Sequence, residues 1–254
     1  MSALQNEKEL HSACKSGDIE IVKFLLEANT RATTFAANGY SPLIVAASRG
    51  HSKCVELLLQ MGKGVRVDME TKSSGETALS VVCGTYRSKT ILLDGQSSEQ
   101  YASNDRAREN RNQQLLEVLH TLLNHNADMA SAKRMGATPL HIASMRGFCG
   151  AVELLLPCFY IDKEQRRIDV SVHYTDSANR TPLHLACING HVDVASVLLH
   201  WGADPMAQDK TGASCLHNAI FQRFHDVVRV IFCSYPTSHN GGYEERSKRL
   251  KRRV

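Results

Sequence analysis

The residues of this 254-residue chain best equipped for chemistry are its twelve histidines and eight cysteines. Imidazoles relay protons and, with thiolates, hold metals, but both tasks need several such groups brought to one point. The spacing argues against that. His11, His141, His184 and His217 each follow a leucine, and the last three lie 43 and 33 residues apart, so each belongs to its own stretch of chain. Cys14, Cys54, Cys83, Cys149, Cys158, Cys187, Cys215 and Cys233 occur singly, with no C-x-x-C pair. Such thiols behave as small apolar side chains in a reducing compartment. The sequence contains no H-E-x-x-H, no glycine-rich phosphate loop and no G-x-S-x-G turn. The expectation is a non-enzymatic chain with no catalytic residues, cofactor or metal.

The leucines that precede those histidines reveal the organisation. Leu10, Leu43, Leu140, Leu183 and Leu216 each stand 15 and 16 residues ahead of an apolar pair, at Leu25/Leu26, Leu58/Leu59, Leu155/Leu156, Leu198/Leu199 and Ile231/Phe232. Leu79 has the same partner, Leu122/Leu123, displaced by an insertion. Intervals between leading leucines are 33, 36, 61, 43 and 33 residues. A period near 33 with two short helical segments per unit signifies stacked repeats, each burying its face against its neighbours.

Helix signals recur in register. Thr138-Pro139 and Thr181-Pro182 place a hydroxyl at the N-cap and proline at the first helical position. Ser41-Pro42, Thr77-Ala78 and Ser214-Cys215 are variants. Gly17, Gly50, Gly147 and Gly190 fall seven residues after the leucine, where a left-handed helix stop is expected. Ala13, Ala46, Ala143, Ala186 and Ala219 fall three after it and permit close helix contact. The third repeat departs, with Val82 for alanine and Tyr86 for glycine, and its Gly84 is expected to end the helix early.

On the motifs "TPLHIASMRG" from Thr138 and "TPLHLACINGHVDVASVLLHWGAD" from Thr181, the chain resembles the ankyrin-repeat family. The resemblance implies an all-α solenoid of about six helix-turn-helix repeats linked by hairpin-like loops. The expected divisions are residues 5–37 for repeat 1, 38–73 for repeat 2 and 74–132 for repeat 3, with an insertion at about 85–112. Repeat 4 is expected over 133–176 with a lengthened hairpin at about 157–176, repeat 5 over 177–209, repeat 6 over 210–235, and a basic tail over 236–254. The first and last repeats read as caps. The insertion reads as disordered or as an exposed extension of the second helix, while alternation at Ile168, Val170 and Val172 predicts an extended finger. In this family the histidine after the leucine ties neighbouring repeats together through backbone.

The resemblance also implies a protein partner, met on a concave surface made by hairpin tips and first-helix ends. Here those positions are Tyr40, Arg134, Met135 and Arg180 on the hairpins, and Arg49, Met145, Arg146, Ile188, Asn189 and Phe221 on the helices. Arginine and exposed apolar groups are the residue types of interface anchors, and Arg49, Arg146 and Arg180 suit an acidic stretch. The reading is an adaptor or scaffold, monomeric, with no small-molecule substrate. A nuclear regulator of transcription or chromatin is the alternative, and a regulatory part of an enzyme or channel a third.

No stretch approaches the roughly 20 apolar residues of a membrane span. The first nine residues hold Glu7 and Glu9 and no apolar run, unlike a secretory signal, so cytosol or nucleus is expected. Net charge is +4, but Arg246, Lys248, Arg249, Lys251, Arg252 and Arg253 lie in the last nine residues, leaving the rest slightly acidic. This tail reads as a solvated terminus, a nuclear-import signal or an anion-binding patch, and nucleic acid is not expected as a partner except through it. The import reading predicts that residues 236–254 fused to a neutral cytosolic reporter carry it into nuclei. A reporter that stays out rejects that reading.

Overall fold

The structure, a computed structural model, describes residues 3–36, 39–72, 74–86, 98–130, 136–157, 159–161, 167–169 and 172–234. Six helix pairs follow one another among these residues. They are α1 (Ala3–Ser16) and α2 (Ile19–Glu27), α3 (Pro42–Arg49) and α4 (Ser52–Met61), and α5 (Ala78–Thr85) and α6 (Ser98–Asn124). The pairs continue with α7 (Pro139–Arg146) and α8 (Cys149–Leu155), α9 (Pro182–Ile188) and α10 (Val192–His200), and α11 (Cys215–Phe221) and α12 (His225–Ser234). The first helices pack side by side as an inner row, α1 to α11, and the second helices form an outer row, α2 to α12. In the long connection between α8 and α9, β1 (Phe159–Ile161) pairs antiparallel with β2 (Arg167–Asp169), Tyr160 opposite Ile168. That is where the alternation predicts a finger. Arg134, Met135 and the basic tail lie outside the described residues.

The leucine beat becomes a continuous core. Leu10, Leu43, Leu79, Leu140 and Leu183 are buried, as is the first member of every apolar pair: Leu25, Leu58, Leu122, Leu155, Leu198 and Ile231. Alanines 13, 46, 143, 186 and 219 are buried with them, and Val82 is accommodated at the equivalent place in α5. Most described cysteines join this core. Burial pushes the Cys14 thiol up to about 12, so it stays protonated and acts as a small apolar group.

The five inner helices from α3 to α11 start on a side-chain cap. The hydroxyls of Ser41, Thr77, Thr138, Thr181 and Ser214 accept from the backbone N–H three residues on. Histidine adds a second function. Thr138 N–H lies 3.3 Å and Thr181 N–H 3.1 Å from Nδ1 of His141 and His184. With Nδ1 accepting, the proton is assigned to Nε2. His141 Nε2–H then donates to the Arg180 carbonyl at 3.0 Å, and His184 Nε2–H to the Ala213 carbonyl at 3.3 Å. One ring thus caps its own helix and bonds the loop before the next. His217 makes the same cap, at 3.2 Å from Ser214 N–H, but its ring is exposed in the last described pair.

A second set of rings pins the other end of the inner helices. Gly147, at φ +74, ends α7, and a Cβ there would stand 2.5 Å from the His191 ring. The His191 ring lies flat over that turn and its Nε2–H donates to the Met145 carbonyl at 3.1 Å. His51 repeats the arrangement over Gly17, bonding the Lys15 carbonyl at 3.3 Å. In the third repeat, where Tyr86 replaces glycine, the tyrosine stacks on Phe148 with centroids 4.2 Å apart and planes 9° from parallel. Gly84 does not end α5 early: the helix runs to Thr85, and Gly84 instead approaches Ile142 of α7.

Three of the buried rings make stability sensitive to acid. At His184 burial acts to lower the pKa, but hydrogen bonds with Cys215 and Ala213 prevail and raise it, so that ring works in the opposite sense. Burial lowers the pKa of His11, His141 and His191 below 6.5, against smaller raising contributions from backbone hydrogen bonds. The unfolded chain therefore binds more protons, so their contribution is complete above about pH 6.5 and is lost as pH falls through it. Urea titrations should show stability dropping from about pH 7.5 to 5.5. His141→Ala should cost about 1–3 kcal/mol at the higher pH and flatten the slope. An acid-insensitive midpoint contradicts this. Gly147→Ala should cost about 1–3 kcal/mol through strain and the ring clash. Gly202→Ala, at φ +86 with nothing within 4 Å, should cost only about 1 kcal/mol, as a measured pair of unfolding curves would show.

Candidate interaction surface

The inner row ends in twelve residues, two per helix: Lys15/Ser16, Ser48/Arg49, Gly84/Thr85, Met145/Arg146, Ile188/Asn189 and Phe221/Gln222. Their neighbourhood follows from packing, because α1, α3, α5, α7, α9 and α11 touch in sequence order. Arg49, Met145, Arg146, Asn189 and Phe221 are exposed, Phe221 at 84%, while Ile188 is half-buried. The backbone beneath two of these ends is held by the His51 and His191 bonds to Lys15 and Met145. Asn189 folds its amide back onto the Leu185 carbonyl at 2.8 Å, closing α9. Six expected helix residues therefore share one rim.

The hairpin residues divide differently. Tyr40 is half-buried and packs on the core rather than standing at a tip, because its loop folds back through Ala36 N–H to the Tyr40 carbonyl at 2.9 Å. Arg180 is engaged internally. Its Nε and one terminal nitrogen donate to Asp176 Oδ2 at 2.9 and 2.7 Å. Asp176 Oδ1 accepts from the N–H groups of Ala178 and Arg180. Burial acts to raise the Asp176 pKa, but the Arg180 and Ala178 hydrogen bonds prevail and hold it below the ordinary carboxylate value. The Arg180 charge thus shapes its own loop and presents the carbonyl that His141 requires. It is not a free cation of the rim.

Sequence reasoning passed over this loop chemistry. Asp209 accepts from Thr211 N–H and Ala213 N–H, the second of which sets the carbonyl that His184 bonds. The signal was present as an aspartate four residues before the loop's last residue, in Asp176-x-x-x-Arg180 and Asp209-x-x-x-Ala213. Neighbouring loops also cross-link, through Asn179 Nδ2 to the Gln208 carbonyl and Lys210 N–H to the Ala178 carbonyl. The pinning rings were legible too, as histidine directly after the stop glycine in Gly50-His51 and Gly190-His191.

The outer row carries one departure. α6 is 27 residues long beside α4 of 10, because inserted residues extend it at its start. Gln114 and Glu117 meet Gly50 and Ser52 at the beginning of α4, Ser52 Oγ donating to Glu117 at 3.2 Å. The residues from Ser98 to Gln113 thus add about 24 Å of helix at the start of α6. A shallow polar cleft of 410 Å³ lies between α4 and α6, lined by Ser52, Glu56, Gln113 and His120 among others. Among the described residues, no three His, Cys, Asp or Glu side chains cluster to hold a metal, and no helix is long and apolar enough to cross a membrane.

Comparison with known proteins agrees with this architecture. The family model described as "Ankyrin repeats (3 copies)" matches residues 10–100, 106–209 and 168–240. The chain is 28% identical over 219 residues to a probable E3 ubiquitin-protein ligase of Oryza sativa subsp. japonica, covering 77% of this chain and 38% of that protein. It is 38% identical over 112 residues to the B-cell lymphoma 3 protein homolog of Mus musculus, covering 43% of this chain and 24% of that one. The chain thus spans well under half the length of these relatives. The crystal structure of the human ASB11 ankyrin repeat domain superposes with a TM-score of 0.66 at 22% identity, covering 92% of this chain and 87% of that one. An ankyrin repeat domain from Acinetobacter baumannii gives 0.64 at 21%, covering 89% and 96%. At such identities the likeness concerns the fold. With the family matches running through all six helix pairs, the chain belongs to the ankyrin-repeat family.

Proposed function

We propose that this array is a protein–protein adaptor or scaffold that meets its partner with the exposed ends of the inner helices. Ankyrin repeats generally mediate protein interaction, and the observation that carries the reading here is the pinned rim. Lys15, Met145 and Arg146 are exposed on helix ends whose backbone is held by neighbouring repeats, and Arg49 and Phe221 are exposed on the ends of α3 and α11. A surface ordered before contact loses little entropy on association, so its few anchors can give useful affinity. The groups that suggest catalysis have structural duties. His141 and His184 are committed at both ring nitrogens, and the Cys14 thiol is protonated. Both support a binding module rather than an enzyme. Buried free thiols also suit the cytosol or nucleus, where we place the protein.

A second reading is favoured by relatives named E3 ubiquitin-protein ligases in rice and Arabidopsis thaliana. In it, the array supplies recognition to a larger machine, the same rim engaging what that machine acts on.

The test is affinity purification from cells with mass spectrometry. The intact chain is compared with one altered at Arg49, Met145, Arg146, Ile188 and Phe221, and with a control altered at the exposed outer-row residues Lys53 and Glu56. Specific partners should vanish from the rim variant and persist with the control, with direct affinities lowered by about 10- to 100-fold. Partners retained by the rim variant move the site to the insertions or the tail. Co-purifying ubiquitin-conjugating enzymes favour the second reading.

A further inference from the structure

The rim is not uniform along the array. Its cations, Lys15, Arg49 and Arg146, lie on α1, α3 and α7, while its apolar side chains, Met145, Ile188 and Phe221, lie on α7, α9 and α11. None of the twelve rim positions is acidic, although the chain apart from its last nine residues is slightly acidic. None of the three cations is held in an ion pair among the described residues. Between the two halves, Gly84 and Thr85 of α5 add only small, half-buried groups. The sequence thus concentrates unpaired positive charge towards one end of a row and apolar area towards the other, meeting at Met145 and Arg146.

We infer that this rim takes an extended segment of a partner protein that is acidic over α1 and α3 and apolar over α7 to α11. The inference rests on the adaptor reading and deepens it by naming the partner's chemistry and its direction along the array. Charge complementarity identifies the acidic half, since carboxylates there meet cations that no ion pair engages among the described residues. Met145 and Phe221, 38% and 84% exposed, offer the apolar half area to bury. Geometry favours an extended chain. Packed helices lie about 8–10 Å apart, so six inner helices set a row of roughly 40–50 Å. An extended segment of about 14 residues spans that, with about three residues to each step between neighbouring repeats. A helical partner calls for an apolar groove, and two clefts among the described residues, of 410 and 450 Å³, lie away from the rim, on the outer row and against α2 at the first repeat.

The experiment displays randomised peptides of about 14 residues and selects them on the intact 254-residue chain. Enriched peptides should carry Asp or Glu towards one end and Leu, Ile, Phe or Met towards the other. The triple change Lys15→Glu, Arg49→Glu, Arg146→Glu should weaken them by about ten-fold or more, and so should Met145→Ser, Ile188→Ser, Phe221→Ser. All six side chains are exposed or half-buried, and circular dichroism confirms that both variants fold. A fresh selection on the charge-reversed chain should lose its acidic preference. Enriched peptides without this polarity, yet lost from both variants, overturn the inference and leave the adaptor reading standing. Peptides that bind both variants undiminished overturn both. Failure to enrich any peptide also counts against the inference, with the purification experiment deciding the adaptor reading separately.

Discussion

A hydrogen bond from one histidine ring to the backbone of the following repeat joins local and long-range structure in this molecule. His141 closes the start of α7 through Nδ1 and holds the Arg180 carbonyl through Nε2, 39 residues away. The same ring therefore works only as a neutral imidazole with its proton on Nε2. His184 does the same for the next loop. Because each repeat buries its leucines against its neighbours alone, such bonds set the register between repeats. They also explain the loop chemistry: the Asp176 carboxylate, with Arg180 folded onto it, holds the carbonyl that the ring must reach.

The other face of that dependence shows at the two ends of the described array. His217 makes its cap, but its ring is exposed, and Ile220 is 57% exposed at a position where Cys14, Ala47, Cys83, Ser144 and Cys187 are buried. Phe232 is 58% exposed for the same reason. At the first repeat, Leu4 and Phe24 lie open. These side chains lack a covering neighbour on one side among the described residues, since burial in a stacked array comes from the neighbour. The rim is different. Met145 and Arg146 are exposed although repeats flank them on both sides, so their exposure is a property of the array itself.

Much of this was legible in the sequence because it repeats. The leucine beat, the small residue three places on, the hydroxyl cap and the stop glycine each recur in register. The histidine bonds follow once the family resemblance is recognised. What escaped was specific to one place. Tyr86 at a glycine position looks like a defect until Phe148, in the next repeat, is seen stacked on it. Arg180 and Tyr40 look like surface residues by position, yet an aspartate four residues earlier claims one and the core claims the other. The inserted residues at the start of α6 carry no apolar periodicity, so their polar content suited either disorder or the helix extension that the structure shows. Repetition reveals the common frame, whereas each of these exceptions depends on a contact that the period does not encode.

The account holds that stitched repeats present a preformed rim, and that partners are met there and not on the outer row. Hydrogen–deuterium exchange of the intact chain, alone and saturated with a captured partner, tests this most directly. Protection confined to the ends of the inner helices, at residues 12–16, 45–49, 142–146, 185–189 and 218–222, is the predicted result, with the outer helices unchanged. Protection centred on α4, α6 or α10 instead, with the inner-helix ends exchanging as before, would contradict it.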